Sequence, residues 1–329
     1  MRLWNVRALI ETARTLRARG VLGINERNAD YILPNNERRL YPSVDDKLTT
    51  KGLARVHGVA TPELYSVMRF EVETRGLPAI IAAHEEFVVK PASGSGGDGI
   101  IVVKGRAGNA LRLANRSVMT IEELEYHIHG SLSGIYSLGG QPDKVLIEYC
   151  VQFDPVFEKI AFQGVPDIRV IVYKGVPVMG MVRLPTSQSG GKANLHQGAI
   201  GAGINLATGR TLTAVHKTQI VTHHPDTMEP VFDVAIPLFD RMLEISARCS
   251  DMTGLGYVGV DLVLDRDKGP LLLELNARPG LAIQIANRSG LGERLAKVDA
   301  EKAHALPLDE RIEFAARYFP AIDSRTKVR

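Results

Sequence analysis

The stretch "GVDLVLDRDKGPLLLELNARPG", which runs from Gly259 to Gly280, decides the fold because two apolar runs flank a short polar turn. A four-residue loop at Arg266–Gly269 predicts a β-hairpin across it. The apolar pairs opposed in that hairpin are Leu264 with Leu271, Leu262 with Leu273 and Val260 with Leu275. Alternation of such pairs along one face is what a half-buried hairpin requires.

The opposite face of this hairpin is acidic. Asp261 is expected directly across from Glu274, and Asn276 follows two residues later. Two opposed carboxylates destabilise a sheet by ~0.2–1 kcal/mol at exposed sites, and a cation between them relieves the repulsion. Three oxygen donors suit Mg²⁺. A solvated acidic face is the alternative, although the apolar run Leu271–Leu273 favours a buried strand.

A second stretch, "FVVKPASGSGGDGIIVV" from Phe87 to Val103, holds a glycine-rich loop. Its GxGxxG spacing is not a dinucleotide fingerprint, because Ile100–Val103 favour a strand where that motif needs a helix. The Lys-Ser/Thr pair of a Walker loop is absent, as are the HRD and DFG motifs of protein kinases. A glycine loop between antiparallel strands can cover a triphosphate, and Lys90 precedes it. A flexible hairpin without a ligand is the alternative.

Composition sets the limits on function. The chain has 329 residues, a net charge of +3, and 45% hydrophobic residues, which indicates a globular protein and no bulk binding of nucleic acid. Cys150 and Cys249 form no CxxC motif, so we expect a reducing, cytoplasmic location and neither disulfide nor zinc site. The sequence contains no run of 18 apolar residues, so no transmembrane helix is predicted.

The strands expected from the sequence outnumber the helices and mostly form hairpins, which predicts an α+β protein rather than serial βαβ units. A helix is expected from Asp46 to the stop at Gly58, another from the capping box of Thr120 and Glu123, and a hairpin turn at Lys174-Gly175. The glycine-rich stretch from Pro185 to Gly209 is expected to be a loop.

The N-terminus predicts an amphipathic helix, and arginines interrupt its apolar run, which excludes a signal peptide. Docking of this helix on the body is the first expectation, and a membrane-surface helix is the alternative. Its apolar residues at helical spacing are Leu3, Val6, Leu9, Ile10, Ala13 and Leu16, with Arg7, Arg14 and Arg17 between them.

Several motifs, taken in order, resemble the ATP-grasp carboxylate–amine ligases. The nearest relatives are similar to RimK-type glutamate ligases and to the alpha-L-glutamate ligase-like, sugar-transfer-associated ATP-grasp proteins. The motifs are "DDKL", "FVVKPASGSGGDGI", "VLIEYC", "DIRVIV", "NLHQGA", "GVDLVL" and "LELNARPG". The resemblance covers roughly Asp46 to Gly292.

This resemblance implies the ATP-grasp fold, in which two α+β lobes grip ATP. A short, mainly helical N-terminal segment over 1–45 precedes an ATP-grasp domain over 46–329. The small lobe is expected at about 85–150 and the large lobe at about 151–295. ATP is implied with two Mg²⁺ ions, and Mn²⁺ is the alternative metal.

The resemblance also assigns nucleotide-binding roles. Lysines contact phosphates, the glycine loop covers them, a three-residue hinge holds adenine mainly through its backbone, and one glutamate holds the ribose. The implied residues, in that order and followed by three more from "DIRVIV" and "NLHQGA", are Lys47, Lys90, Ser95, Gly96, Gly97, Glu148, Tyr149, Cys150, Glu158, Asp167, Asn194 and His196. A solvated Lys47 and a loop His196 without function are the alternatives. Adjacent His223 and His224 are not expected to bind metal.

Catalytic and metal roles follow from the same resemblance. Arg278, Arg183 and Arg169 are the implied catalytic cations, and surface ion pairs are the alternative for the last two. The implied metal ligands are Asp261, Glu274 and Asn276.

The implied activity joins a carboxylate, glutamate or another amino acid, to an amine through an acyl phosphate and releases ADP and phosphate. Small molecules or peptides are the expected substrates, with no nucleic acid. A kinase-like phosphotransferase and a non-catalytic ATP-binding module are the alternatives. The stretch Pro185–Gly203 is expected to close over the site as a mobile lid.

Many family members carry an α/β domain ahead of the ATP-grasp part. About 45 residues precede "DDKL" here, which is too few for such a domain. A second protomer or a partner protein is therefore expected to complete the acceptor site.

Overall fold

The computed structural model describes residues 6–94 and 96–320. Its α-helices are α1 Val6–Ala18, α2 Ile24–Glu26, α3 Pro42–Asp45, α4 Lys47–Val56, α5 Leu77–Ala83, α6 Ile121–Leu132, α7 Phe239–Thr253, α8 Ala282–Ala286, α9 Gly292–Ala300 and α10 Leu308–Tyr318. A π-helical segment spans Arg27–Ile32, and short 3-10 helices span Arg38–Leu40, Glu71–Gly76, Leu138–Gly140, Pro155–Phe157, Leu195–Gln197 and Ala303–Ala305.

Two antiparallel sheets hold the strands. Those of the first sheet are β1 Leu64–Met68, β2 Phe87–Pro91, β3 Ile101–Ala107, β4 Ala110–Leu113, β5 Val118–Met119 and β6 Val145–Tyr149. Those of the second are β7 Asp167–Tyr173, β8 Val176–Leu184, β9 Ile200–Ile204, β10 Thr211–His216, β11 Gln219–Val221, β12 Tyr257–Asp265 and β13 Gly269–Asn276. The α+β class expected from the sequence is confirmed.

The six-stranded sheet, in the order β1-β6-β2-β3-β4-β5, buries one face against α6. Alternation along β2 sends Phe87 and Val89 into that core and Lys90 to the opposite face. Thr120 and Glu123 form the expected capping box that begins α6. This sheet also includes β1, which precedes residue 85, the expected start of the small lobe. The boundaries of the two lobes stay a prediction.

The seven-stranded sheet, in the order β11-β10-β9-β8-β7-β12-β13, forms the larger core with α7 and the C-terminal helices. Its central strands β7 and β12 are buried along their whole length. The hairpin β7–β8 turns at Lys174 and Gly175 as expected, and both residues have positive φ (48° and 78°), as a type I′ turn requires.

The β12–β13 hairpin confirms the expected pairing only at the site end. Val260 lies opposite Leu275 and Asp261 opposite Glu274. Towards the turn the four-residue loop was wrong, because Gly269 (φ 73°) joins β13 and leaves three residues in the loop. A bulge opposite the Asp261–Leu262 step absorbs the shift. The corrected pairs are Leu262 with Leu272, Val263 with Leu271 and Leu264 with Pro270.

The expectation of a loop from Pro185 to Gly209 was partly wrong, because β9 occupies Ile200–Ile204. Gly203 is in a strand for a packing reason, since a Cβ atom there would lie 2.7 Å from the Ala286 carbonyl oxygen. The mobility expected of the lid stays a prediction.

The segment between α1 and α4 packs against the end of the β12–β13 hairpin. Asn36 bonds both backbone groups of Tyr257, and Arg27 donates to the Pro279 carbonyl. The described side chains of helix α1 are not buried in this way, because Ala8 and residues 10–19 are all exposed. The expected docking of that helix is therefore wrong for these side chains, and Leu3, Val6, Arg7 and Leu9 lie outside the described side chains.

Candidate active site

Two lysines pair with one buried carboxylate beside the glycine loop. Glu148 on β6 and Lys90 on β2 are 2% and 3% exposed, and their side chains form an ion pair. Lys51 Nζ on α4 lies 2.8 Å from Glu148 Oε2. With Lys47 these residues form what we call the lysine cluster. Burial of charge is favourable only when the charges are paired, so Glu148 holds two ammonium groups in place.

Lys47 connects the glycine loop to the acidic strand. Asp46 caps α4 by accepting from the Leu48 and Thr49 amides, which fixes Lys47 at the first helical position. Its Nζ donates to the Gly94 carbonyl at 2.6 Å and lies 4.0 Å from Glu274 Oε2. Burial lowers the pKa of Lys47, and the Glu274 carboxylate opposes that shift.

The glycine loop meets the stretch 185–199 that precedes β9. Gly96 and Gly97 have φ of 66° and 82°, a conformation that other residues rarely adopt. A Cβ atom on Gly96 would lie 3.9 Å from Asn194 Nδ2, and Lys192 pairs with Asp98 at 3.2 Å. The two loops thus face each other, and Ser95 lies outside the described residues.

The central strands of the larger sheet carry four alternating charges, which we call the arginine row. Arg169 binds Asp261 through Nε at 2.7 Å and Nη2 at 2.5 Å. Arg183 binds Asp167 with two bonds, and its Nη2 also donates to Asp261 at 2.8 Å. Because all four side chains are largely buried, these are fixed bidentate pairs and not the solvated surface pairs weighed above.

Burial and ion pairing shift the pKa values of the two carboxyl groups of this row in opposite directions. Burial raises the pKa of Asp167 to about 6, although Arg183 opposes it. Burial acts in the same direction on Asp261, but Arg169 and Arg183 outweigh it and hold its pKa at about 2. Asp261 therefore carries the charge that both guanidinium groups share.

The acidic strand β13 supplies oxygen donors of the kind that Mg²⁺ prefers. Glu274 is half-buried, and Asn276 Oδ1 accepts only the Arg278 amide at 2.9 Å among its described contacts. Glu274 and Asn276 are two apart on one strand and share a face. Asp261 opposes Glu274 but already accepts three guanidinium bonds. Glu274 and Asn276 thus fit a magnesium ion whose other ligands are phosphate oxygens, and the ligand assignment stays a prediction.

The sequence that forms this site matches the model of one protein family. The sequence model of the sugar-transfer associated ATP-grasp family matches residues 26–300. The chain belongs to that family. The expected resemblance and fold are confirmed, since the match spans both sheets and the site between them. No curated protein matches the chain.

Solved structures of ATP-grasp ligases are similar at low identity. PsnB complexed with precursor peptide PsnA2 and AMPPNP is 14% identical, with a TM-score of 0.44 over 82% of this chain and 61% of that one. D-cycloserine synthetase DcsG is 17% identical, with a TM-score of 0.46 over 81% and 73%. D-alanine–D-alanine ligase from Bacillus anthracis complexed with ATP is 17% identical, with a TM-score of 0.41 over 84% and 66%. The chain spans 63% and 61% of the length of the first two PsnB chains that it matches.

In this ATP-grasp protein the three residues expected at the adenine hinge have different surroundings. The Glu148 side chain points into the lysine cluster. The Tyr149 amide donates to the Glu63 carbonyl at 2.8 Å, and Lys268 lies over the Tyr149 ring. Cys150 is buried, which raises the pKa of its thiol.

Three other expected residues are near the surface. Glu158 and His196 are exposed, and the structure brings neither into a described side-chain contact with the lysine cluster. Arg278 is also exposed, and its guanidinium lies 5.5 Å from the Tyr41 ring centroid. The N-terminal segment thus borders the catalytic candidate.

Lys51 is the site residue that sequence reasoning missed. It lies four residues after Lys47 on the same helix, and that spacing places both side chains on one helical face. The spacing was the available signal. Its target, Glu148, is 97 positions along the chain, and no local pattern pairs the two.

His224 is fully buried and anchors the lid stretch. Its Nε2 donates to the Pro185 carbonyl at 2.9 Å, and its Nδ1 accepts the Asp226 amide at 3.2 Å. The Asp226 carboxylate in turn accepts from the Ser187 amide at 2.8 Å. Within residues 6–94 and 96–320 no cluster of three or more His, Cys, Asp or Glu residues is arranged for a metal.

Proposed function

We propose that this ATP-grasp protein is an ATP-dependent ligase that joins a carboxylate to an amine through an acyl phosphate. The observation that carries the proposal is the position of Lys47 Nζ, 2.6 Å from the Gly94 carbonyl and 4.0 Å from Glu274 Oε2. One ammonium group therefore borders both the loop suited to cover phosphates and the strand suited to hold a cation.

The charge of the lysine cluster supports a triphosphate as the ligand. Lys51 and Lys90 pair with Glu148, whereas the only described carboxylate within ion-pair distance of Lys47 is that of Glu274, at 4.0 Å, with Asp143 and Glu148 acting at longer range. Lys47 therefore carries a local excess of positive charge that no close carboxylate neutralises. A nucleotide phosphate compensates that excess, and the glycine loop adds backbone N–H donors.

Glu274 and Asn276, with Asp261 behind them, would hold magnesium. The ion supplies charge neutralisation at the β- and γ-phosphate oxygens when it is bound. Lys47 lies beside Glu274, so the ammonium group is oriented by the same carboxylate that would hold the metal.

A carboxylate is a poor electrophile because its leaving group would be oxide. Transfer of the γ-phosphoryl group of ATP to the donor carboxylate oxygen breaks the bond to the β-phosphate oxygen, gives an acyl phosphate and releases ADP. Lys90 and Lys47 stabilise the charge that develops during this transfer. The amine then attacks the acyl carbon and displaces phosphate, so the products are an amide, ADP and phosphate.

Arg278 is the proposed donor for the oxyanion of the second step. It is exposed and has no carboxylate within ion-pair distance in the described residues, with Asp45 acting on it at longer range, so its guanidinium is available to a substrate. Arg169 and Arg183 act differently, because Asp261 and Asp167 already hold them. We propose that they shape the donor carboxylate pocket, with glutamate or another amino acid as the donor class.

The test incubates the protein with ATP, Mg²⁺ and mixtures of amino acids, peptides and amines. Mass spectrometry is expected to find an amide, with ADP and phosphate as co-products. Hydroxylamine is expected to trap the activated donor as a hydroxamate. Formation of AMP and pyrophosphate would overturn the ligase proposal, because the carboxylate would then react at the α-phosphate. Phosphorylated product without amide would instead indicate a phosphotransferase.

A further inference from the structure

Helix α1 is the largest element that has no partner in the described structure. Ala8 and residues 10–19 are all exposed. The only described side-chain hydrogen bond of this stretch is internal, from Thr15 to the Glu11 carbonyl. No described ion pair joins it to the rest of the described residues. A 13-residue helix of ordinary sequence is marginal alone, so an external partner for it is expected.

The described side chains of α1 are sided. Ile10, Ala13 and Leu16 are three residues apart and lie on one face. Ile10 and Leu16 are 48% and 44% exposed. Glu11 and Thr15 lie on the opposite face. The helix therefore presents an apolar stripe and a polar stripe, both to solvent.

The charge of this stretch is also one-sided. Arg14, Arg17 and Arg19 oppose a single acid, Glu11, and none of the three arginines has an ion-pair partner in the parts of the chain that the structure describes. Arg14 lies four residues after Ile10 and Arg17 four residues after Ala13, so both arginines lie on the Ile10 side of the apolar stripe, with Arg17 inside its span. Arginine stems extend along apolar surface while the charge stays at the level of phosphate groups.

The C-terminal end of α1 is attached to the body. The Gly292 amide donates to the Gly20 carbonyl at 2.8 Å, and Gln284 bonds both backbone groups of Leu22. The helix thus extends from a fixed point on the larger sheet's helical layer. At about 20 Å it is too short to cross a bilayer, and no described helix is long and apolar enough to do so.

We propose that α1 lies in the interface of an anionic lipid bilayer, with its apolar stripe inserted and its arginines at the headgroup phosphates. Charge complementarity selects this occupant, because a second copy of α1 would bring arginines against arginines. The proposal does not depend on the ligase reaction. The only tryptophan of the sequence, Trp4, precedes α1 and provides a probe.

The experiment mixes the full chain with vesicles of equal parts phosphatidylserine and phosphatidylcholine, or of phosphatidylcholine alone, and measures co-sedimentation. Binding to the anionic vesicles is expected to be at least about tenfold stronger, to weaken with salt, and to shift tryptophan emission to shorter wavelength. Ile10→Ser/Leu16→Ser is expected to lose about tenfold or more in affinity.

Thr15→Ser is the matched control on the polar face and is expected to bind as the wild type does. Thermal unfolding of all variants checks that the body stays folded, as expected because the described side chains of α1 are exposed. Equal binding to both vesicle types, or unchanged binding by Ile10→Ser/Leu16→Ser, would overturn the proposal. Absence of vesicle binding would also overturn the proposal, and it would do so equally if the protein self-associates or binds a soluble acidic protein.

Discussion

The lysine cluster and the arginine row are both buried, but their charges sum differently. In the row, Arg169 and Arg183 face Asp167 and Asp261, so two positive charges meet two negative ones. The lysine cluster has more ammonium groups than carboxylates close enough to pair with them. The row is fully paired, whereas Lys47 in the cluster has no described carboxylate closer than Glu274, at 4.0 Å.

This difference separates two uses of buried charge. Bidentate guanidinium pairs have a fixed geometry and position neighbouring groups. An ammonium group is a point charge that can exchange a carbonyl for a phosphate oxygen, as Lys47 can exchange the Gly94 carbonyl. We therefore expect substitutions in the row to reduce stability and substitutions in the cluster to reduce nucleotide binding.

The largest effect is expected from Asp261→Asn, which leaves Arg169 buried without a carboxylate. The free energy of unfolding should fall by about 3–5 kcal/mol, because an uncompensated buried charge is costly. Chemical denaturation measures it. Asp267→Asn, an exposed carboxylate at the turn of the same hairpin, is the control and should change little. Equal stability of the two variants would contradict the buried row.

Asp167→Asn is expected to change how stability depends on pH. Because the pKa of Asp167 is raised to about 6, its contribution is fully present below about pH 4 and is lost as pH rises through about 6. The variant lacks that loss, so its stability relative to wild type should improve by up to about 3 kcal/mol from pH 4 to pH 7. Denaturation at several pH values measures this. Parallel curves for the two proteins would show that Asp167 is ionised throughout.

Glu274→Ala is expected to lower ATP turnover by about a hundredfold or more, since the proposed metal loses its central ligand. Stability should hold, because Glu274 is half-buried and accepts no described guanidinium bond. Release of ADP measures turnover, and Glu301→Ala, an exposed residue directly after α9, is the control. Turnover at the wild-type rate would remove Glu274 from the metal assignment.

Lys90→Met keeps the aliphatic stem and removes the charge. Nucleotide affinity or turnover is expected to fall by about tenfold or more. Lys51→Met should have a smaller effect, because Lys51 acts through Glu148 and a carbonyl. Calorimetric titration with a non-hydrolysable ATP analogue compares them. A larger loss from Lys51→Met than from Lys90→Met would reverse the roles within the cluster.

Local sequence signals predicted much of the architecture, and the failures have physical reasons. Capping residues and turn glycines act over a few positions, so α4, α6 and the Lys174-Gly175 turn were predictable. The register of β12–β13 near its turn was not, because Gly269 adopts a positive φ inside the strand pairing and a bulge then restores the register. The position of β9 depended on its close packing against Ala286.

The sequence by itself determined which groups are available: the glycine loop, Lys47 and Lys90, and the Asp261–Glu274 opposition, since pairing within one hairpin is local. Only the tertiary structure decided how those groups are used. Lys51 on α4 meets Glu148 on β6, and Arg183 on β8 reaches Asp261 on β12 across β7, because the fold brings together elements that are distant in the chain. Electrostatic energy depends on distances in space, so ion pairs between such elements cannot be read from their positions along the chain.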